Sequence, residues 1–258
     1  MTQLATVITG ASSGIGLELA HLFAPEHQHL VLVARRREPM DALAKELQSR
    51  HGVRVTVISR DLQQPGAAQA LMDDLAAHHL EVDTLVNNAG FGVSGNVTHA
   101  DRGATSAMLQ LNMITLAELT QRVLPGMVAR GQGRILNVAS MVAFQPCPYF
   151  ALYGATKAFV LSFSEALAEE VASRGVLVSA LCPGSTATGF HAVAATQGSL
   201  LEQMADSPKM VAEEAYKGLN NGQRVIVTGG MNKPLPLVNR LVPRRAMTWA
   251  VGKVLGGG

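Results

Sequence analysis

Thr9-Gly10-Ala11-Ser12-Ser13-Gly14-Ile15-Gly16 is the stretch on which the reading of the fold turns. An apolar run precedes it, and a segment with helical spacing follows it from Leu17 to Phe23. Gly10 permits a tight turn, Gly14 lets backbone approach a pyrophosphate, and Gly16 lets the helix pack closely on the strand. The helix start then offers unpaired N–H groups and a partial positive charge to a phosphate. Gly10, Ser12, Ser13, Gly14, Ile15 and Gly16 are therefore candidate phosphate contacts. The spacing is G-x-x-x-G-x-G, which differs from the common dinucleotide fingerprint. A ligand-free glycine turn is the bland alternative; position between a strand and a helix weighs against it.

Working outward, short Val/Ile/Leu-rich runs recur at 5–9, 30–34, 53–58, 84–86, 134–138, 177–182 and 225–228. They lack strict polar alternation, as strands covered on both faces do. Segments 17–23, 41–50, 67–78 and 159–172 carry apolar positions three and four apart, the spacing of amphipathic helices. Strand–helix alternation with right-handed crossovers predicts an α/β, doubly wound parallel sheet of about seven strands, with helices on both faces. The chain of 258 residues reads as one domain over 1–230 followed by a basic segment, 231–258.

Composition excludes several classes. Apolar residues make up 48% and charged residues 16%, so intrinsic disorder is ruled out. Two cysteines, Cys147 and Cys182, cannot build a disulfide scaffold, which points to a reducing, cytoplasmic setting. The N-terminus has no basic region of the secretory type. The uncharged stretch 135–156 contains Pro146, Pro148 and several polar side chains, so it reads as strand, loop and helix start and not as a membrane span. No metal-ligand spacing is present.

The second strand ends in Ala34-Arg35-Arg36-Arg37. An NAD site usually places a carboxylate there to bind ribose hydroxyls. Ala34 followed by Arg35 and Arg36 favours NADP(H) over NAD(H), because a guanidinium pairs with a 2′-phosphate and a carboxylate repels it. Arg37 reads as a solvated loop residue.

Tyr153-Gly154-Ala155-Thr156-Lys157 opens a helical stretch, and spacing of four puts Tyr153 and Lys157 on one face. Ser140 ends the preceding strand. An ammonium about 4 Å away, at an effective dielectric near 20, favours a phenolate by about 4 kcal/mol, roughly 3 pK units. A tyrosine so shifted would exchange a proton with a substrate oxygen near neutral pH, with Ser140 holding that oxygen.

With these residues in order, the sequence resembles the short-chain dehydrogenase/reductase family, in its compact, non-extended branch. The resemblance covers residues 4–228 and rests on Thr9 to Gly16, Asp61-Leu62, Asn87-Asn88-Ala89-Gly90, Asn112, Ser140, Tyr153 to Lys157 and Pro183-Gly184. It implies a Rossmann fold and a nicotinamide-dependent oxidoreductase. It further implies that Asp61 and Leu62 lie at the adenine, that Asn88, Ala89 and Gly90 line the adenosine side, and that Asn112 holds a water linked to Lys157. Lys157 would also bind the nicotinamide ribose. Pro183 and Gly184 would lie against the nicotinamide, with Thr186 and Thr188 reaching its phosphate and carboxamide. A homodimer or homotetramer is the family's usual assembly.

The substrate segment falls at 185–210. With it, Phe91, Met141, Phe144, Phe150, Phe190 and Met204 predict an apolar pocket. No Lys or Arg lies between Arg134 and Lys157, nor from Gly175 to Pro208. A small hydrophobic ketone, aldehyde or alcohol is therefore the expected substrate. The alternative is a non-catalytic NADP(H)-binding regulatory or scaffold protein of the same fold. Net charge is split: residues 1–214 hold 14 Lys and Arg against 19 Asp and Glu, whereas 215–258 hold 7 basic residues and no acid. Leu237, Leu241, Val251 and Leu255 alternate there with Arg240, Arg244, Arg245 and Lys253, and Pro243 breaks the run. Three readings stay open: packing on the domain or another subunit, peripheral contact with an anionic membrane, or an acidic partner. Nucleic acid is excluded by the lack of an aromatic-rich basic face.

Overall fold

The computed structural model describes residues 2–26, 28–188, 205–230 and 232–255. Seven strands, β1 (Gln3–Thr9), β2 (His29–Ala34), β3 (Val55–Ser59), β4 (Leu80–Asn87), β5 (Gly133–Val138), β6 (Val176–Cys182) and β7 (Val225–Val227), form one sheet in the order β3-β2-β1-β4-β5-β6-β7. Every pairing is parallel. Among the described residues the α-helices are α1 (Gly14–Phe23), α2 (Arg37–His51), α3 (Ala67–Ala77), α4 (Arg102–Leu109), α5 (Leu116–Arg130), α6 (Ala151–Val171), α7 (Pro208–Asn220), α8 (Leu235–Leu241) and α9 (Arg244–Leu255).

Adjacent strand residues serve opposite faces. Val7, Val31, Leu85 and Ile135 pack with Leu71, Leu119 and Leu167 of α3, α5 and α6. Ile8, Leu32, Val86 and Leu136 pack with Leu19, Met40 and Val211 of α1, α2 and α7. That two-sided burial explains why the strands show no alternation. The doubly wound single-domain expectation is met. Strand order reverses at β1 and β4, so their carboxyl ends open the crevice where such folds bind ligands.

Several boundaries need correction. The helix expected at 41–50 begins at Arg37, so Arg37 opens a helix and is exposed there without being a loop residue. The third strand runs Val55–Ser59, because Gly52 ends α2 in the left-handed region at φ 65 and Val53 packs into the core before the strand begins. The fourth runs Leu80–Asn87, well beyond 84–86, since two acids interrupt its apolar pattern. One of them, Asp83, is only 2% exposed and accepts hydrogen bonds from Gln28 and Gln132. Arg130 engages the other, Glu81. The helix expected at 159–172 begins earlier, at Ala151, so both Tyr153 and Lys157 lie inside it. Pro243 separates α8 from α9 as anticipated. Among the described residues, no helix is long and apolar enough to cross a membrane.

Behind the crevice runs a buried polar chain. Asn87 Nδ2 donates to Thr120 Oγ1 at 3.1 Å and to Asn137 Oδ1 at 2.9 Å. Asn137 Nδ2 donates to Ser164 Oγ at 3.0 Å, and Ser164 Oγ donates to Val160 O at 2.7 Å. These bonds tie β4, β5, α5 and α6 together in the interior. Asn137→Ala would strip partners from Asn87 and Ser164, so a loss of about 2–3 kcal/mol is expected in urea unfolding. A midpoint equal to that of the wild type would show the chain to be dispensable.

Candidate active site

The loop after β1 takes its shape from glycines in the left-handed region. Gly10 has φ +68 and Gly14 has φ +59, and a Cβ on Gly16 would stand 2.5 Å from Asn88 Nδ2 and from Gly10 O. Asn88 is the latch. Its Nδ2 donates to Thr9 O at 2.9 Å and Gly10 O at 3.3 Å. Thr9 Oγ1 donates to Val86 O at 3.1 Å and accepts from the N–H groups of Asn88 and Ala89, each at 3.0 Å. The ends of β1 and β4 are thereby fixed to each other.

Ser13, the N-cap of α1, makes no side-chain capping bond, so the first N–H groups of the helix are left for a ligand. Arg36 Nη2 reaches back over the loop and donates to Ser12 Oγ at 3.3 Å and Ser13 Oγ at 3.4 Å. Arg35 is exposed and makes no such contact among the described residues, its carbonyl accepting from Ser59 Oγ at 2.9 Å. Arg37 pairs with Asp41 in the first turn of α2. Thr188 comes from beyond β6 to the opposite side of the loop, its Cγ2 2.8 Å from where a Gly14 Cβ would lie. Thr186 Oγ1 donates to Gly184 O at 3.2 Å. A phosphate-bearing ligand therefore fits the protein's own cradle: glycines no side chain can replace, open helix donors and a cation at the rim.

Asp61 follows β3 and accepts from Gln63 N at 3.0 Å and Gln64 Nε2 at 3.3 Å. It does not cap α3, which starts after Gly66. Leu62 is buried, and its carbonyl accepts from Thr115 Oγ1 at 2.9 Å.

Ser140 leaves β5 in an extended conformation and caps the short turn Met141–Phe144, accepting weakly from Val142 N at 3.4 Å. Its Oγ donates to Pro183 O at 3.5 Å, which ties the Pro183-Gly184 strip to the same corner. Tyr153, Lys157 and Asn112 are all buried. Burial pushes the Tyr153 hydroxyl well above its ordinary range, opposed by a hydrogen bond with Ser140. Burial also draws Lys157 down to about 8. Lys157 Nζ donates to Val138 O at 2.7 Å and stands 5.7 Å from the Tyr153 ring centroid. The expectation of a phenol lowered by its lysine is thus corrected: burial is the largest influence on Tyr153, and the hydrogen bond with Ser140 is what opposes it.

Asn112 lies in a π-helical turn, Gln110–Thr115, between α4 and α5. Its Oδ1 accepts from Phe91 N at 3.2 Å, and its Nδ2 donates to Phe91 O at 2.9 Å and Thr156 Oγ1 at 3.1 Å. A Cβ on Gly90 would meet Asn112 Oδ1 at 3.0 Å and Lys157 Nζ at 3.5 Å, so glycine keeps these two groups close.

Of the anticipated pocket residues, Phe150 meets Tyr153 edge-on at 6.1 Å, and Phe91 packs against the same cluster. Met141 and Phe144 instead pack with Val160, Leu161 and Cys182. Phe190 and Met204 lie outside the described residues. Three details are not assigned from the sequence, although Thr9 is part of the glycine motif and packing of the basic segment on the domain is one of its readings. Thr9 is the hub of the latch, Asn232 Nδ2 stands 2.5 Å from a would-be Gly184 Cβ, and Val251 and Leu255 of α9 pack on the Phe150–Tyr153 cluster. Thr9 alone carried a signal, as a hydroxyl at the end of an apolar strand.

A doubly wound sheet with this crevice and this Ser–Tyr–Lys corner defines a nicotinamide-dependent oxidoreductase of the Rossmann class. A sequence profile for short chain dehydrogenases matches residues 4–198. Sulfoacetaldehyde reductase of Chromohalobacter salexigens is 38% identical over 188 residues, 72% of this chain and 74% of that protein. A short-chain dehydrogenase of Sphingobium yanoikuyae, solved with NADPH, superposes with a TM-score of 0.80 at 33% identity, covering 95% of this chain and 92% of that one. The bulky-bulky ketone specific alcohol dehydrogenase of Comamonas testosteroni gives a TM-score of 0.79 at 30% identity, covering 95% and 93%. The chain belongs to the short-chain dehydrogenase/reductase family.

Removing the latch tests the cradle. Asn88→Ala should weaken nicotinamide-cofactor binding at least tenfold in fluorescence titration and cost about 1–3 kcal/mol of stability. Wild-type affinity would show that the loop holds its shape without Asn88.

Proposed function

We propose that this protein is an NADP(H)-dependent reductase of hydrophobic ketones or aldehydes. The observation that carries this reading is the hydrogen-bonded Ser140–Tyr153 pair beside the buried Lys157. The glycine loop, Arg36, Asp61, Asn88 to Gly90, the Pro183-Gly184 strip and Thr188 would hold the dinucleotide. When bound, the nicotinamide supplies the hydride that reaches the carbonyl carbon.

A buried phenol with a raised pKa keeps its proton at neutral pH. It is therefore suited to act as a general acid, giving that proton to a carbonyl oxygen as negative charge develops there. Ser140 Oγ orients the same oxygen. Lys157, charged below about pH 8, stabilises the departing proton's phenolate and binds ribose hydroxyls. The Asn112 amide bonds Phe91 and Thr156, which gives it a bracing role between the loop after β4 and α6 at a place close to Lys157. Phe91 and Phe150 present apolar surface to Tyr153, which supports a hydrophobic substrate; the bulky ketone specificity in the name of the Comamonas testosteroni enzyme agrees with it.

Preference for NADP(H) is supported by the lack of a carboxylate at 34–37 and by Arg36 over Ser12 and Ser13. Of the two arginines expected to favour NADP(H), Arg36 has the better support, because it reaches the glycine loop. A groove lined by Ile114 of the π-helical turn, Leu124 of α5, and Phe159 and Phe163 of α6 supports self-association. Two free, buried cysteines suit a reducing, cytoplasmic compartment.

Tyr153→Phe should lower reduction of hydrophobic ketones by NADPH by about 10²–10⁴-fold while NADPH still binds. In the wild type the rate should stay level up to about pH 8 and fall above it, as Lys157 loses its proton. Undiminished turnover in the variant would defeat the mechanism. Arg36→Asp should reduce NADPH affinity by about tenfold or more relative to NADH, and Arg35→Asp should do less. An unchanged affinity ratio in both would remove the arginines from cofactor choice.

A further inference from the structure

We propose that α8 and α9 form a docking surface for an anionic lipid bilayer. The two helices pack on one loop. Asn239 Nδ2 of α8 donates to Gln145 Oε1, and Gly252 of α9 lies against Pro148, where a Cβ would stand 3.3 Å from Pro148 Cγ. On the inward side of α9, Val251 and Leu255 pack on the Phe150–Tyr153 cluster. The outward side is built differently. Arg245, Trp249 and Lys253 recur at spacing of four and share one exposed stripe. Trp249 is 69% exposed, and on α8 Leu237 is 62% and Leu241 76% exposed.

Apolar side chains this exposed would be costly on a surface meant only for water. The charged residues of α8 and α9 are all cations. Lys233 pairs with Glu214, but Arg240, Arg244, Arg245 and Lys253 have no ion-pair partner among the described residues. No acidic residue occurs after Glu214. Trp with flanking Arg and Lys is the composition that settles at a headgroup boundary, ring in the interface and cations toward lipid phosphates. An acidic protein partner would account for the arginines and leave Leu237 and Leu241 unexplained. A cleft of about 590 Å³ lined by Val97, Tyr149, Trp249 and Lys253 adjoins the same stripe. An apolar molecule dissolved in the bilayer would meet the protein at this corner, next to the Tyr153 cluster.

The chain supplies its own probe, because Trp249 is its single tryptophan. The 258-residue protein is mixed with vesicles of phosphatidylcholine containing a quarter phosphatidylglycerol, and separately with phosphatidylcholine alone. Expected results are co-sedimentation and a blue shift of the tryptophan emission with the anionic vesicles, both reversed by high salt, and neither with the neutral ones. The double variant Arg244→Glu/Arg245→Glu should bind at least tenfold more weakly with an unchanged Tm, and Leu241→Gln should also bind less. These readouts need no turnover, so their failure is separate from failure of the reductase reading. Absence of vesicle binding, equal binding to neutral vesicles, or wild-type binding by the charge-reversed variant would overturn the proposal. So would an emission already blue-shifted in buffer that moves red as dilution lowers the mass in light scattering, since a second copy would then cover the surface.

Discussion

The bond from Asn88 Nδ2 to the carbonyls of Thr9 and Gly10 is the constraint on which the site depends. A parallel sheet opens a crevice wherever its winding reverses, but the crevice has no fixed width by itself. Here Asn88 and the Thr9 hydroxyl set it, joining two strand ends through side chain and backbone together. Gly10 and Gly16 are small because the Asn88 amide occupies the space beside them. The start of α1 then points its free N–H groups into a space of defined size. A few placed groups, and not a general positive charge, suit this crevice to an anionic ligand: the portion of the chain up to residue 214 carries more acids than bases.

The catalytic corner is governed by desolvation. Tyr153 and Lys157 are both sealed from water, and burial moves them in opposite senses, the phenol upward and the ammonium downward. Both shifts favour the neutral forms, so the phenol holds its proton until a stronger base, such as a carbonyl oxygen gaining negative charge, stands beside it. Ser140 offsets part of the tyrosine's shift through its hydrogen bond. The Asn112 bridge to Thr156 keeps the first turns of α6 in place, and Thr156 Oγ1 in turn donates to Tyr153 O at 2.7 Å.

Much of this was legible beforehand, for physical reasons that differ by element. β1, β2, β5 and β6 are largely buried on both faces, so runs dominated by apolar residues announce them. β4 was half hidden because Asp83 is buried and satisfied by Gln28 and Gln132, partners distant in sequence. Spacing placed Tyr153 and Lys157 on one helix face, yet no spacing rule reports burial, and burial decided the tyrosine's acidity. Arg37 could be set aside in advance, but Arg35 and Arg36 could not be ranked; only the turn from β2 into α2 shows that Arg36 curls over the loop. The contact of α9 with the Phe150–Tyr153 cluster joins residues about 100 positions apart and leaves no local trace.

The buried chain Asn87–Asn137–Ser164 has a further consequence for how the sheet assembles. The core strands are nearly interchangeable in apolar content, and hydrophobic burial alone discriminates poorly among neighbouring parallel alignments. Asn87 and Asn137 stand opposite each other in the pairing of β4 with β5. A shift of one residue would send each amide to the other face, where it would face hydrocarbon without a partner. These two amides therefore act as a proofreading mark on strand alignment, penalising every pairing of the central strands except the one that leaves their carboxyl ends flush.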